Sequence, residues 1–544
     1  MPSNLDKLFY VILMSFLKIF WVIVAYILSL RLFVHKLFDK VRNCKWSKAV
    51  RIDTGEYSET NTLNIAFNRI GEALAISNYD QGVYVRRFIP NKGWLEATCI
   101  DKTINSDNPE ATTRSRRYDP QICLDGQGNS LVSWHEDQEF EIVSGHTGTS
   151  WINQYRVGSG WGEPTPFDLN LNGCGAVKIA GDLQGNVIAV WCHNSREQST
   201  IACKHYSPET GWGKTFQIAE HSLYTHNLNI FDDQQGHYVV TWDGREDHSA
   251  DDEFFYKGHV PVYARYYSIN DGWSDEELIR PDFYYDKMDF EVAFDQSGNV
   301  ILVWEHYIVA SPDRSIICAV RYSVENGWTR ACEIDPGIAD SSENLSESNN
   351  PKIAFDHAGN AIAVWYQNSD RRYGSIWTNR YNSRSNSWER AHHISTENAN
   401  QTEPQLAVAT SGTACVTWAQ QGGIACSLYT NDTGWSSLEL IHKDNRTYGD
   451  YAPRIAIDSK DTFIVIWMQE SSKYSTFWSR IYTEKAGWET SERLFRDYAC
   501  HSRSPEVKLD PAGVAHVIWD TSDRESCNTH FWSSYLQLQD NTDA

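Results

Sequence analysis

Three short stretches carry side chains able to do chemistry together. His135-Glu136-Asp137 follows Trp134, Asp243-Gly244-Arg245-Glu246-Asp247 follows Trp242, and Glu305-His306 follows Trp304. Carboxylates beside imidazoles suit a cation. Two carboxyl groups about 5–5.5 Å or roughly 6.5–9.5 Å apart suit glycoside hydrolysis by the retaining or the inverting route. The ligand-binding candidates are therefore His135, Glu136, Asp137, Asp243, Arg245, Glu246, Asp247, Glu305 and His306, with His193, His248 and Tyr307 in equivalent or neighbouring places. The same residues equally suit solvated loops on an acidic protein, and no catalytic residue is assigned. The run DGREDHSADDE lacks the alternate-residue ligand spacing of a calcium loop, and no Cys-x-x-Cys pair exists, so neither a metal nor another cofactor is expected.

The tryptophan before each stretch belongs to a repeat. Residues 351–365 read PKIAFDHAGNAIAVW, and close copies begin at Pro120, Val177, Phe290, Pro404, Pro453 and Pro505, with weaker ones from Leu63 and Leu228. Nine copies stand about fifty residues apart, at about 63–100, 120–168, 175–219, 227–279, 289–335, 351–395, 404–441, 453–495 and 505–538. The first copy carries Ser77-Asn78 in place of the tryptophan, and displacement of that copy would leave eight.

Each copy holds four strand signals. An alternating strand (Ile353, Phe355) is followed by a tight turn in which Asp356 can accept turn N–H groups and Gly359 can take positive φ. The second strand, AIAVW, is apolar throughout, as befits a strand covered on both faces. The third ends in Arg-Tyr or a relative, and the fourth opens with Gly-Trp, as at Trp94, Trp273 and Trp328. One such sheet cannot bury both faces alone, so copies must stack. The termini say how. The ninth copy lacks its Gly-Trp strand, while KWSKAVRID at 45–53 matches GWTRACEID at 327–335. A lone fourth strand ahead of the first repeat makes sense only in a closed circle. The expected fold is an all-β propeller of nine four-stranded blades over residues 44–544, with segment 45–53 completing the last blade.

The turn between the third and fourth strands reads YSINDGWS, YSVENGWT and YTNDTGWS at 267–274, 322–329 and 429–436. In its Ser/Thr, Gly and Trp this repeat resembles those of bacterial propeller proteins of the sialidase-like, degenerate Asp-box type. The resemblance covers residues 45–538 at the level of fold. A sialidase-like activity would require three arginines for a substrate carboxylate, a Tyr–Glu nucleophile pair and an Asp acid. Arg265, Arg321, Arg380 and Arg480 recur at what reads as one repeat position, which points to architecture.

Propeller geometry sends the 1–2 and 3–4 turns to one face and the 2–3 and 4–1 connections to the other. The first set is short and uniform. The second holds the long, irregular stretches 135–148, 243–260 and 305–314, so recognition is expected there. The chain has a formal charge of −23, divided between net +6 in residues 1–49 and −29 beyond, which argues against nucleic acid as a partner. Several of the twelve cysteines recur at core-like positions (Cys203, Cys318 and Cys426 on third strands, Cys99 and Cys332 on fourth strands) and read as small buried hydrophobes.

Residues 1–43 are of another kind. Leu8 to Leu30 is long and apolar enough to cross a bilayer, interrupted by Lys18 alone, and an amphipathic stretch follows to Asn43. Six Lys/Arg on the C-terminal flank place the propeller in the cytoplasm of a single-pass membrane protein by the positive-inside rule. The expected function is a membrane-tethered platform that binds a protein partner or another ligand through its irregular acidic face. A glycan-binding, lectin-like propeller is the alternative, followed by a sialidase-like glycoside hydrolase.

Overall fold

The computed structural model describes residues 46–537 apart from 54–62, 69, 80–81, 91, 102–114, 139–147, 168–175, 195–198, 222–224, 226, 245–260, 281–289, 309–313, 336–346, 369–373, 396–401, 421, 444–449, 472–474, 498–499, 503–504, 511–512 and 524–528. The chain divides into two units, 1–47 and 48–544. The expected span at residues 8–30 lies outside the described residues, among which no helix is long and apolar enough to cross a membrane.

The second unit is a nine-bladed β-propeller of antiparallel blades. Blade 6 shows the plan, with strands Glu347–Phe355, Ala361–Asn368 and Gly374–Asn382, then a fourth strand in two pieces, Ser387–Trp388 and His392–His393. Both pieces pair with the third strand. The sequence predicts one fourth strand. It breaks because the residue after the tryptophan still bonds the third strand (Glu389 N–H to Arg380 O, 2.8 Å) and the next few leave the ladder. First strands of successive blades lie against one another around much of the ring, as innermost strands must.

The circle closes as the termini require. Val50 and Arg51 pair antiparallel with Ser533 and Trp532 of the ninth blade's third strand. Ile52 continues the ladder by donating to Phe531 O at 2.8 Å, as Ile334 does to Ile317 O at 2.9 Å in blade 5. Across the seam, Lys508 Nζ donates to Ile65 O at 3.4 Å, and His516 packs against Phe67 and Phe88.

The turn between first and second strands recurs for a chemical reason. In blade 6, Asp356 Oδ1 accepts the N–H groups of Ala358 and Asn360, while Oδ2 accepts the Asn360 amide at 2.9 Å. Gly359 sits at φ +77°, where a Cβ would strain the backbone. Asn360 Oδ1 then accepts Ser383 N–H, tying this turn to the one between strands three and four. Asn129 and Asn299 do the same for Val157 and Val324.

Each second-strand tryptophan points at the preceding blade and fills the interface. Trp134, Trp191, Trp242, Trp365, Trp418, Trp467 and Trp519 are all below 2 % exposure, and Trp304 is buried with them. Trp365, for example, sits among Ile317, Ala319 and Ile334 of blade 5. Ser77 occupies this position in blade 1, so the closing interface is the one built without the indole.

Third-strand arginines correct one sequence expectation. Arg265 and Arg480 do not share a position with Arg321 and Arg380. The tyrosine paired with the Gly-Trp strand is Tyr267 in blade 4 but Tyr322 in blade 5 and Tyr381 in blade 6, so the Arg-Tyr dipeptides are offset by one residue. A one-residue slip reverses the face of a strand. Arg265 and Arg480 reach back to carbonyls of the preceding blade, Ile218 O and Ile441 O. Arg87, Arg321 and Arg380 instead lie over the next blade's tyrosine, at 3.9 Å from the Tyr155 ring, 5.4 Å from Tyr381 and 5.8 Å from Tyr429. At the same position Tyr266 stacks on Tyr322 at 4.1 Å, and His205 meets Tyr267 at 4.7 Å.

The cysteines divide. Cys203 and Cys426 are buried and free, as expected of small hydrophobes, and Cys318 and Cys99 are half-buried. Cys332 is exposed, against expectation, because the second piece of blade 5's fourth strand is two residues long and lies at the blade's outer edge.

Candidate functional site

The irregular face begins where the second strand passes its tryptophan. In blade 2 the first strand bulges between Tyr118 and Gln121, with Asp119 at φ +55° ahead of Pro120. The bulge leaves Tyr118 38 % exposed, with its ring 5.0 Å from that of His135. His135 itself is 2 % exposed, and its Nδ1 lies 2.8 Å from Ser150 Oγ. Glu136 Oε1 lies 3.4 Å from Arg117 Nη2.

Arg117 is the centre of this corner. Its side chain is 4 % exposed, and its Nε donates to Asp101, whose carboxylate is fully buried. Asn78 of blade 1 donates to the Arg117 carbonyl. Two blades are thus joined by a buried ion pair with Glu136 on its margin. The equivalent corner of blades 5 and 6 uses a neutral partner, where Ser348 Oγ donates to Asp335 at 2.9 Å.

The other candidates fall in different settings. Asp243 is fully buried and accepts both the N–H and the side-chain amide of Asn227, at 3.0 and 2.9 Å, so it anchors the entry to blade 4's first strand. Arg245, Glu246, Asp247 and His248 lie outside the described residues, and Asp137 is described in its backbone strand only. Glu305 is exposed, His306 half-buried and Tyr307 40 % exposed at the end of blade 5's second strand. His193 is half-buried at the corresponding place in blade 3. The structure joins His135 and Glu136 to Arg117 and Asp101, and sets Asp243 and Glu305 two and three blades further round the ring. Among the described residues no group of three His, Cys, Asp or Glu is placed to hold a metal ion.

The residue two beyond the tryptophan is an acceptor for an indole in several blades. Gln367 and Gln420 accept from Trp365 and Trp418 at 3.2 Å, and Gln469 accepts from Trp478 at 3.1 Å. Glu136, His193 and His306 occupy this place in blades 2, 3 and 5, where the indole N–H groups of Trp134 and Trp304 are buried without an acceptor among the described residues.

A belt on the first strands escaped the sequence reading. Seven residues before the turn glycine or its equivalent stand Asn64, Gln121, Lys178, Asn229, Glu291, Lys352, Gln405, Arg454 and Glu506, polar in every blade. Lys178 pairs with Asp119 of the preceding blade at 2.6 Å, and Lys352 with Glu291. The signal was the alternation of the first strand, whose polar phase falls at this position in all nine copies.

On the opposite face, burial and the neighbouring Asp233 and Asp182 carboxylates push the Asp232 carboxyl up to about 6. The folded state therefore keeps a proton that the unfolded chain has released between about pH 4 and 6, so this group's contribution to stability is present at low pH and lost as pH rises through that window. Asp232→Asn is expected to raise Tm by roughly 1–2 °C at pH 7 and to leave it unchanged at pH 4, as read by calorimetry at both pH values.

No protein-family model matches the chain, and no curated protein matches its sequence. Among solved structures it is similar to a PL25 ulvan lyase, a polysaccharide lyase bound to -[GlcA(1-4)Rha3S]-, at 9 % identity over 66 % of this chain and 93 % of that one, with a TM-score of 0.38. It is similar also to the NanB sialidase of Streptococcus pneumoniae, at 11 % identity over 86 % and 84 % of the two chains and a TM-score of 0.28. The sialidase of Trypanosoma rangeli, in complex with sialic acid, matches at 12 % identity over 59 % and 55 %, with a TM-score of 0.32.

Proposed function

We propose that this chain is a membrane-tethered binding propeller that captures a protein partner on its irregular face and catalyses no reaction there. One observation carries the reading. Regularity breaks just past the tryptophan ring, although Gln367, Gln420 and Gln469 still share a place two residues on. One residue past the ring, successive blades carry Asn78, His135, Cys192, Asp243, Glu305, Tyr366, Ala419, Met468 and Asp520, so that no two neighbouring blades agree. The turns of the other face repeat one hydrogen-bonded box. Variation confined to one rim of a rigid scaffold is what recognition requires. His135, Glu136 and Asp243 are engaged with Ser150, Arg117 and Asn227 and serve in this reading to hold the rim in shape.

The test is recovery of partners by the full chain from its own membranes. Glu305→Ala/Tyr307→Ala, and a variant shortened within 245–260, are each expected to recover the wild-type partner about tenfold less well, the effect of losing one or two central contacts. Equal recovery by all three overturns this choice of face. A glycan is the second reading, favoured by the exposed rings of Tyr118 and Tyr307 on the same rim. Binding of defined oligosaccharides, lost in Tyr118→Ala and Tyr307→Ala, would select it.

The tether and the cytoplasmic placement rest on the apolar stretch 8–30 and its basic flank. Labelling of the exposed Cys332 thiol by an impermeant maleimide only after the membrane is opened is the expected result, and labelling of intact cells would reverse the orientation.

A further inference from the structure

A cleft of about 590 Å³ opens between blades 5 and 6, floored by Ala319, Val320 and Ile334 and edged by Trp388. Its size falls within the range of small-molecule sites. Three arginines line it, Arg321, Arg330 and Arg390.

Arg321 is the unusual member of its repeat position. Arg87 has a carboxylate partner in Glu72 at 2.9 Å, and Arg380 has one in Glu389 at 3.3 Å. Arg321 has none among the described residues, and its Nε is buried without a hydrogen-bond acceptor. A buried donor left in that state is costly unless something supplies the acceptor.

Arg330 and Arg390 add a second, independent observation. They occupy equivalent positions in successive blades, two residues beyond Trp328 and Trp388, and so stand on the two sides of the cleft. The same position elsewhere holds Glu96, Glu163, Asp275, Ser437 or Thr490, or a lysine. Both are exposed and make no ion pair among the described residues. Of the three carboxylates in the lining, Asp335 is engaged by Ile317 N–H and Ser348 Oγ, Glu389 by Arg380, and the exposed Glu333 also has a partner.

We propose that this cleft binds a small organic carboxylate, with Arg321 as the bidentate anchor and Arg330 and Arg390 as flanking charges. The Tyr381 ring covers one face of the Arg321 guanidinium at 5.4 Å. Approach is therefore in the guanidinium plane, where the paired Nη–H groups form two donors matched to a planar carboxylate. The site meets the irregular face at Asp335, but its arginines lie elsewhere, and the proposal stands or falls independently of what that face binds.

Isothermal titration of the full chain with sodium citrate and sodium glucuronate, against sodium chloride at matched ionic strength, tests this. Saturable carboxylate binding is expected, weakened at least tenfold in Arg321→Met and in Arg330→Ala/Arg390→Ala. The second variant changes only exposed side chains and should keep the wild-type Tm, which separates lost binding from lost folding. No heat beyond the chloride control, equal binding by the variants, or tighter binding of sodium sulfate or phosphate than of the carboxylates would each overturn the proposal.

Discussion

Ile52→Asp is expected to unzip the ring. Ile52 is 2 % exposed and packs with Ile518 and Phe531 of the last blade and with Leu63, Ile65 and Trp94 of the first. The substitution removes a large apolar side chain and buries a charge, for a loss of about 4 kcal/mol or more in urea denaturation. The seam is the interface least able to absorb it. Elsewhere a second-strand tryptophan fills the gap between blades, whereas here Ser77 stands in its place. Hydrogen exchange should rise first in Thr529–Gln537, whose outer edge Val50–Arg51 covers. The converse variant should stabilise. Val50→Cys with Ser533→Cys joins residues directly opposite in the ladder. Such a bridge closes nearly the whole propeller as one loop, and oxidation should add about 3–5 kcal/mol. A protein with Ile52→Asp that melts like the wild type would refute closure through this strand.

Arg117→Ala is expected to cost about 3–5 kcal/mol, because it removes the cation that faces the buried Asp101 carboxylate. Asp101 has no exposed side-chain surface and Arg117 only 4 %, so water cannot replace the lost partner. Asp101→Asn/Arg117→Met removes both charges and should recover most of the loss, since a buried ion pair contributes little over a well-packed neutral pair. Both are read from chemical denaturation at neutral pH. The double variant also separates architecture from recognition. If the corner serves only to join blades 1 and 2, partner recovery should follow stability. Equal instability in the single and double variants would show that the pair is not what holds this corner.

The sequence was most legible where a physical rule acts within one blade. The apolar second strand, the Asp356 turn with its glycine at positive φ, and the nine-fold spacing each follow from contacts a few residues apart. The closing strand was legible too, because 50–53 repeats the ladder of 332–335 and a circle needs a partner for every edge. What went astray was the meeting of side chains from different strands and different blades. Arg265 and Arg321 look alike as Arg-Tyr dipeptides, yet an offset of one residue sends the first to the preceding blade and the second to the next. His135 and Asp243 looked available for chemistry until Ser150 and Asn227 were placed against them.

The amino-acid order alone therefore determined the architecture, meaning the common plan of the blades and the way the circle is completed, while the structure decided nine blades over eight by building the first copy into the ring. Repeated local patterns have one stable arrangement, and they state it nine times over. Only the tertiary structure decided which polar side chains are engaged and which are left with an unmet bond. That outcome depends on residues of different strands and blades meeting, whether 15 positions apart, as His135 and Ser150 are, or on two blades, as Arg321 and Tyr381 are. No periodicity encodes the exact facing of two side chains on different blades, since it is set by the register and twist of both sheets at once.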